Sequence, residues 1–358
     1  VHILSSPTAG GAEVYVKDLA LAMAAEGHFV AVAFLNHAHE VGRQQSYEQN
    51  FLEELAAGGV EVDFIGYKAR RSPVFGWTRL RQMTGEWRPD VIHSHLSYGL
   101  LFAAFCPVPV VYTQHTIKLR VPAWLYRVFL DRVVSRYIGI CAACVNVLNR
   151  ASSRPVVRID NAVSPERVWR RPQDSRRDGT VKLFSAGRLT EAKNYTLLLE
   201  SVAELDDMDF TLEIAGEGPL RGVLEQQIEQ HQLAHRVKLL GNVNDVSERL
   251  AGADIFVMSS SWEGLPIALL EATLTGLPVV VTNVGGCAEV VHRVGNGLVV
   301  DTSIAKDLAA AMRRLIASES QRSFFSHNAL NYSASYELGT AVALHMSLYR
   351  DVVDAKSP

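Results

Sequence analysis

Apolar positions along this chain fall in short runs, and each run is followed by a polar or small-residue break. Val1–Leu4, Phe29–Leu35, Val60–Ile65, Asp90–His95 and Pro109–Gln114 read as strands. Ala12–Gly27 and Phe51–Gly58 carry the ~3.6-residue apolar spacing of helices. The same rhythm restarts at Lys182. Strands are expected at Lys182–Ala186, Phe210–Ala215, Val237–Leu240, Ile255–Ser259, Pro278–Thr282 and Gly297–Val300. Helices are expected between them at Asn194–Leu205, Pro219–Gln232, Val246–Ala251, Pro266–Thr275, Ala288–Arg293 and Ala305–Ser318. Short apolar strands alternating with helices predict parallel sheets covered on both faces. Asn331–Val353 reads as one long amphipathic segment.

Between the two series lies Arg170–Thr180, polar and arginine-rich with Pro172 and Gly179, which reads as a linker. The expected organisation is a first domain at 1–170, a second at 171–330 and a terminal helix at 331–358. Both domains are doubly wound α/β folds. Ligands in such folds bind outside the carboxyl ends of the strands, so residues just after strands are the functional candidates, converging on a crevice.

The chain has 358 residues, 48% of them hydrophobic and 20% charged. That balance excludes disorder, collagen and coiled coil. No apolar run reaches the ~18–20 residues of a membrane span, and no secretory leader is visible. Four cysteines fit a reducing cytoplasm. Net charge is −3, but it is unevenly spread. Residues 1–170 carry 18 Lys+Arg against 14 Asp+Glu, a net of +4, and the remainder carries 17 against 24, a net of −7.

Several post-strand segments carry chemistry. Gly187-Arg188-Leu189-Thr190-Glu191-Ala192-Lys193-Asn194 places two cations between a strand and a helix N-terminus, an arrangement suited to a diphosphate. Ser259 to Glu271 ends a strand, passes Glu263, Gly264 and Leu265, and enters a helix at Pro266. A retaining-glycosidase pair would need carboxyls ~5–5.5 Å apart. The helix from Pro266 to Glu271 alone rises ~7.5 Å, so two contacts along an extended ligand fit better. Gly285-Gly286, before Glu289, permits close backbone approach. Gly216-Glu217-Gly218-Pro219 reads as a tight turn, since Arg221 stands where a dinucleotide fingerprint needs glycine. In the first half, Gly10-Gly11 joins a strand to a helix. His93-Ser94-His95 ends a strand, and His115 follows another. Strand alternation is expected to send only one of His93 and His95 toward the ligand, which speaks against a joint metal site. Cys141 and Cys144 lack a partner pair for zinc. No hydrolase elbow, P-loop or metalloprotease motif is present.

Taken in order, Gly10-Gly11-Ala12, Asp90 to His95, Gly187-Arg188 with Lys193-Asn194, Gly216 to Pro219, Glu263-Gly264 with Glu271, and Gly285-Gly286 with Glu289 resemble the family-4 retaining glycosyltransferases of the GT-B fold. The resemblance spans nearly the whole chain. It implies a transferase moving a sugar from a nucleotide-diphosphate sugar to an acceptor hydroxyl with retention, in envelope glycan or glycolipid synthesis. Arg188 and Lys193 would bind the donor diphosphate, Glu263 the sugar hydroxyls and Glu271 the ribose. Gly187, Gly264 and Leu265 would line the donor, His95 would stand beside its sugar, and Gly10 and Gly11 near phosphate and acceptor. The terminal helix would cross back onto the first domain. No metal or other cofactor and no nucleic acid are expected. Departures occur at Ala162, where glycine is usual after Asn161, at Asn283 and at Cys141 to Cys144.

Two other readings share these residues: a nucleotide-sugar epimerase of the same fold, and a non-catalytic sugar-nucleotide-binding module. One surface expectation is added by composition. Tyr67–Arg88 holds six Lys+Arg and one Glu with Tyr67, Phe75, Trp77 and Trp87 interleaved. Lys118–Arg136 holds five cations against Asp131, with Trp124, Tyr126 and Phe129. Such surfaces suit peripheral contact with an anionic membrane, so a cytoplasmic enzyme at the inner face and a lipid-linked or glycan acceptor are expected.

Overall fold

A computed structural model describes residues 1–42, 45–169, 179–301 and 304–355. Contacts divide the chain into two compact units, Val1–Ala162 with Leu338–Pro358, and Val163–Glu337. The expected divisions lay at 170/171 and 330/331. The Val163 amide donates to the Tyr336 carbonyl at 2.9 Å, which ties both ends of the second unit together just inside its contact boundary. Residues 170–178 of the expected linker lie outside the described residues.

The first unit is a seven-stranded sheet of β1 (His2–Leu4), β2 (Ala31–Phe34), β3 (Glu61–Phe64), β4 (Ile92–Ser94), β5 (Val110–Gln114), β6 (Arg136–Gly139) and β7 (Val156–Arg158). Its order is β3-β2-β1-β4-β5-β6-β7, all parallel. The second is a six-stranded sheet of β8 (Val181–Ala186), β9 (Phe210–Ala215), β10 (Val237–Gly241), β11 (Ile255–Met258), β12 (Val279–Thr282) and β13 (Gly297–Val300). Its order is β10-β9-β8-β11-β12-β13, also all parallel. Each is Rossmann-like. The central strands, such as Ile255–Met258 and Val279–Thr282, are buried at every residue, which is why they read as unbroken apolar runs.

Two strands and several helices go beyond the sequence reading. β6 and β7 are short and their ends are polar. The helix Pro73–Trp87 lies inside the basic, aromatic stretch. Ser72 caps it by accepting from the Phe75 amide, and Pro73 sits in its first turn. Ala142–Ala151 is a helix capped at Cys141. The tail is not one segment. A helix Glu319–Tyr332 ends, a turn of 3-10 helix covers Ala334–Tyr336, and a new helix runs Leu338–Asp354. Fully buried Tyr336, with its carbonyl held by Val163, fixes that break. The last helix packs on the first unit, where Leu348 and Val352 join Val91, Val111, Ile138 and Ile159.

Candidate functional site

In the second sheet the winding reverses between β8 and β11, the position where open α/β sheets bind ligands. The loops after β8, β11 and β12 meet there and are tied by hydrogen bonds. The Ser261 amide donates to the Ala192 carbonyl at 2.8 Å. Ser259 Oγ lies 3.1 and 3.0 Å from the Lys193 and Asn194 carbonyls. Thr282 Oγ1 donates to the Ser260 carbonyl at 2.6 Å, and the Gly286 amide to the Gly264 carbonyl at 2.7 Å. The result is a platform whose loops are braced by backbone amides and by the Ser259 and Thr282 hydroxyls.

On this platform Lys193 Nζ donates to Glu263 Oε1 at 2.6 Å, and Ser260 Oγ donates to the same oxygen at 2.8 Å. Both charged side chains are largely buried, at 18% and 14% exposure. Arg188 is exposed, and its guanidinium makes no hydrogen bond or ion pair among the described residues. Gly187 leaves room for the lysine stem, since a Cβ there would sit 2.8 Å from Lys193 Cε. Gly285, at φ +55°, leaves room for the Glu263 loop, because its Cβ would lie 2.2 Å from the Glu263 carbonyl oxygen. Gly216 closes the other side, where a Cβ would fall 2.0 Å from the Gly187 oxygen. Gly264 and Leu265 are buried just before the helix Ile267–Thr275.

Glu271 is buried on that helix, and its Oε1 accepts from Arg167 Nε at 2.9 Å and Nη2 at 2.5 Å. Burial pushes the carboxyl up from its ordinary value, and Arg167 pulls it partly back. The sequence reading missed Arg167. It stands 104 positions before its partner, and no local pattern marks it. Together these groups offer two cations for a phosphate chain and two carboxylates for hydroxyls. Each carboxylate is held by its own cation rather than sharing a proton with the other.

In the first unit Gly10 caps the helix Gly11–Ala25. A Cβ on Gly10 would strike the Glu13 carboxylate at 2.1 Å, so that side chain folds over the glycines. The expectation that His93 and His95 point apart is corrected. Residues two apart on a strand share a face, and their ring centroids are 4.1 Å apart. Nitrogens of His2, His93 and His95 lie within 4.8 Å of one another, so strand alternation gives no argument against joint ligation. Hydrogen bonds already engage them. His93 bonds Tyr349 Oη at 2.6 Å and Thr113 Oγ1 at 2.7 Å. His95 bonds His2 at 3.1 Å and His115 at 2.9 Å, and is only 7% exposed. His115, just after β5, stands farther out, and its Nδ1 is buried with no partner. Burial pushes all of these imidazoles down, His115 to about 4.

The family described as Glycosyl transferases group 1 matches residues 169–332, and Glycosyltransferase Family 4 matches residues 9–167. One human phosphatidylinositol N-acetylglucosaminyltransferase subunit is 28% identical over 87% of this chain, which spans 66% of that protein. The lipopolysaccharide core biosynthesis glycosyltransferase LpsE of Rhizobium meliloti is 35% identical over 43% of this chain and 45% of its own length. Among solved structures, Anabaena Alr3699/HepE in complex with UDP and glucose superposes with a TM-score of 0.81 at 20% identity, over 98% of both chains. That likeness establishes the two-domain α/β GT-B fold.

Proposed function

This chain belongs to the group 1, family 4 glycosyltransferases, and on that premise we propose that it moves a sugar from a nucleoside-diphosphate donor to an acceptor hydroxyl with retention of configuration. The observation that carries the donor assignment is the Arg188–Lys193 loop at the switch point of the second sheet. When the nucleotide departs, negative charge grows on its diphosphate. Lys193, braced on Glu263, and the exposed Arg188 of the same loop would neutralise it, which is electrostatic stabilisation of the departing group. Glu263 accepts sugar hydroxyls and Glu271 accepts ribose hydroxyls, with the amides near Gly264 and Leu265 beside the sugar and phosphate. Retention is proposed from the family, whose GT-B group 1 members are generally retaining. With no shared-proton pair, attack from the face of the leaving group, assisted by its phosphate oxygen, accounts for the residues present. The cations take the part that a divalent metal takes elsewhere, so the reaction is metal-independent.

The test is a thermal-shift and NMR screen of UDP-, GDP-, ADP- and dTDP-sugars, with and without hydroxyl acceptors and with excess chelator. One donor is expected to stabilise the protein by ~2.7 kcal/mol at 100-fold its Kd. Transfer to an acceptor should then keep the donor's anomeric configuration and survive chelation. No stabilisation by any donor overturns the donor site. An inverted product overturns retention, and activity restored only by magnesium or manganese overturns metal independence. Interconversion of the donor without acceptor identifies an epimerase.

The acceptor is proposed to be lipid-linked or a glycan at an anionic membrane surface. Tyr67, Phe75 and Trp124 are exposed in the first unit, as are Lys68, Arg71, Arg81 and Arg127. Not every aromatic of these stretches is outward: Tyr126 is fully buried, and Trp87 and Phe129 pack against the core. The relatives named for phosphatidylinositol and lipopolysaccharide support the same acceptor class. No helix among the described residues is long and apolar enough to cross a membrane; the contact proposed is a peripheral one through the basic, aromatic stretches. Cosedimentation with vesicles of rising anionic-lipid content should show binding that strengthens by ~1 kcal/mol per basic residue at the surface and weakens with salt. Absence of binding to highly anionic vesicles at low salt refutes it.

A further inference from the structure

The first unit holds a feature the donor site does not use. His2 on β1, His95 just after β4 and His115 just after β5 come from three adjacent strands and are linked ring to ring. His2 Nδ1 meets His95 Nε2 at 3.1 Å, and His95 Nδ1 meets His115 Nε2 at 2.9 Å. The ring centroids are 5.4 and 5.1 Å apart. Beyond His115 the series ends on its buried, unpartnered Nδ1. That nitrogen is the position at this end of the series open to a further hydrogen bond.

A neutral imidazole has one N–H and one lone pair. A ring bonded on both sides must therefore donate to one neighbour and accept from the other. Because both links join an Nδ1 to an Nε2, all three rings must carry the proton on the same nitrogen. If every proton is on Nδ1, the chain ends at His115 on a buried N–H. If every proton is on Nε2, it presents a lone pair. Any mixed arrangement sets two N–H groups or two lone pairs against each other in a buried site.

We propose that His2 and His95 are positioning residues that set, through this chain, whether His115 Nδ1 donates to or accepts from a hydroxyl of the bound ligand. The role rests on the sugar-transfer reading above, although the chain itself does not. His95 thus acts through His115 rather than on substrate. His93 stands outside the chain, since Tyr349 and Thr113 occupy its nitrogens.

Two-bond 1H–15N correlation spectra of the 15N-labelled full chain read the tautomer of each histidine without any substrate. The expected result is one tautomer shared by His2, His95 and His115. His2→Phe, which fills the space and removes the end nitrogen, should leave His115 a mixture of tautomers. It should also lower kcat by about tenfold or more with donor KM little changed, the loss of about one net hydrogen bond. His2→Asn keeps a polar group where Nδ1 lies and should restore most of kcat. Mixed tautomers in the wild type overturn the chain. An unchanged His115 tautomer in His2→Phe, or equal activity of the Phe and Asn variants, overturns the positioning role. Should His2→Phe not fold, the wild-type tautomers and the His2→Asn kinetics still decide. A wild type that transfers no sugar would refute the transferase premise while leaving the tautomer result standing.

Discussion

Arg188→Ala is expected to lower sugar transfer by ~10²–10³-fold while leaving the melting temperature almost unchanged. The guanidinium is exposed and makes no hydrogen bond or ion pair among the described residues, so its removal costs the fold about 0.5 kcal/mol or less. Its only large interaction would be with charge developing on the leaving diphosphate. Loss of one group that stabilises developing charge removes up to ~2.7–4 kcal/mol of transition-state stabilisation. Lys193→Ala should lose at least as much activity but behave differently in the melt. Its partner Glu263 is mostly buried and would lose its counter-charge, keeping the Ser260 hydroxyl as a donor. That variant should therefore also lose roughly 1–3 kcal/mol of stability. The pair of measurements, turnover with a saturating donor and thermal melting, separates the two roles. Wild-type turnover in either variant would remove that residue from the phosphate site.

Acidification from pH ~6.5 to ~4 is expected to destabilise the first unit steeply. His2, His93, His95, His115 and His345 are all buried there, and burial is the main cause holding each below its ordinary value. His115 and His345 are pushed down to about 4. In the unfolded chain these rings take up protons near pH 6.5, whereas in the folded unit His115 and His345 stay neutral until about 4 and burial holds His2, His93 and His95 below their ordinary value as well. The unfolded state thus binds more protons throughout that window, and stability falls as pH falls. Above pH ~6.5 both states are neutral and these groups contribute no slope. Each of His115 and His345 accounts for roughly 3 kcal/mol across the window. Two such losses are large against a typical ~5–15 kcal/mol. In the second unit Glu271 works in the opposite sense. Its carboxyl is pushed up, so the folded state holds its proton at higher pH and gains slightly on acidification. Urea denaturation at several pH values, followed by tryptophan fluorescence, should show the loss, and His345→Leu should flatten it by about one histidine's share. A constant stability from pH 7 to 4.5 would contradict it.

Much of the architecture is legible in the chain alone. Parallel strands buried on both faces are largely apolar, so β2, β11 and β12 stand out, and their ends, like those of β5 and β9, fall within a few residues of expectation. The donor loop is legible for a related reason. Arg188, Lys193 and Glu263 follow strands directly, and a parallel sheet puts every such residue at one edge. Where the pattern is diluted, it fails. β6 (Arg136–Gly139) and β7 (Val156–Arg158) are too short to show a period, and the helix Pro73–Trp87 mixes its few core residues, such as Leu80 and Met83, with exposed cations and aromatics.

What the sequence by itself determined is therefore local: which segments are strands or helices, which loops follow strands, and which charges those loops carry. Only the tertiary structure decided which distant groups meet. It closed the break at Tyr336 with a bond from Val163, set Arg167 on Glu271, and lined up His2, His95 and His115. The reason is physical. Periodicity records which face of an element is buried, but not what it is buried against. Strand order is not chain order, so β1 lies beside β4, and residues 93 positions apart can share a hydrogen bond.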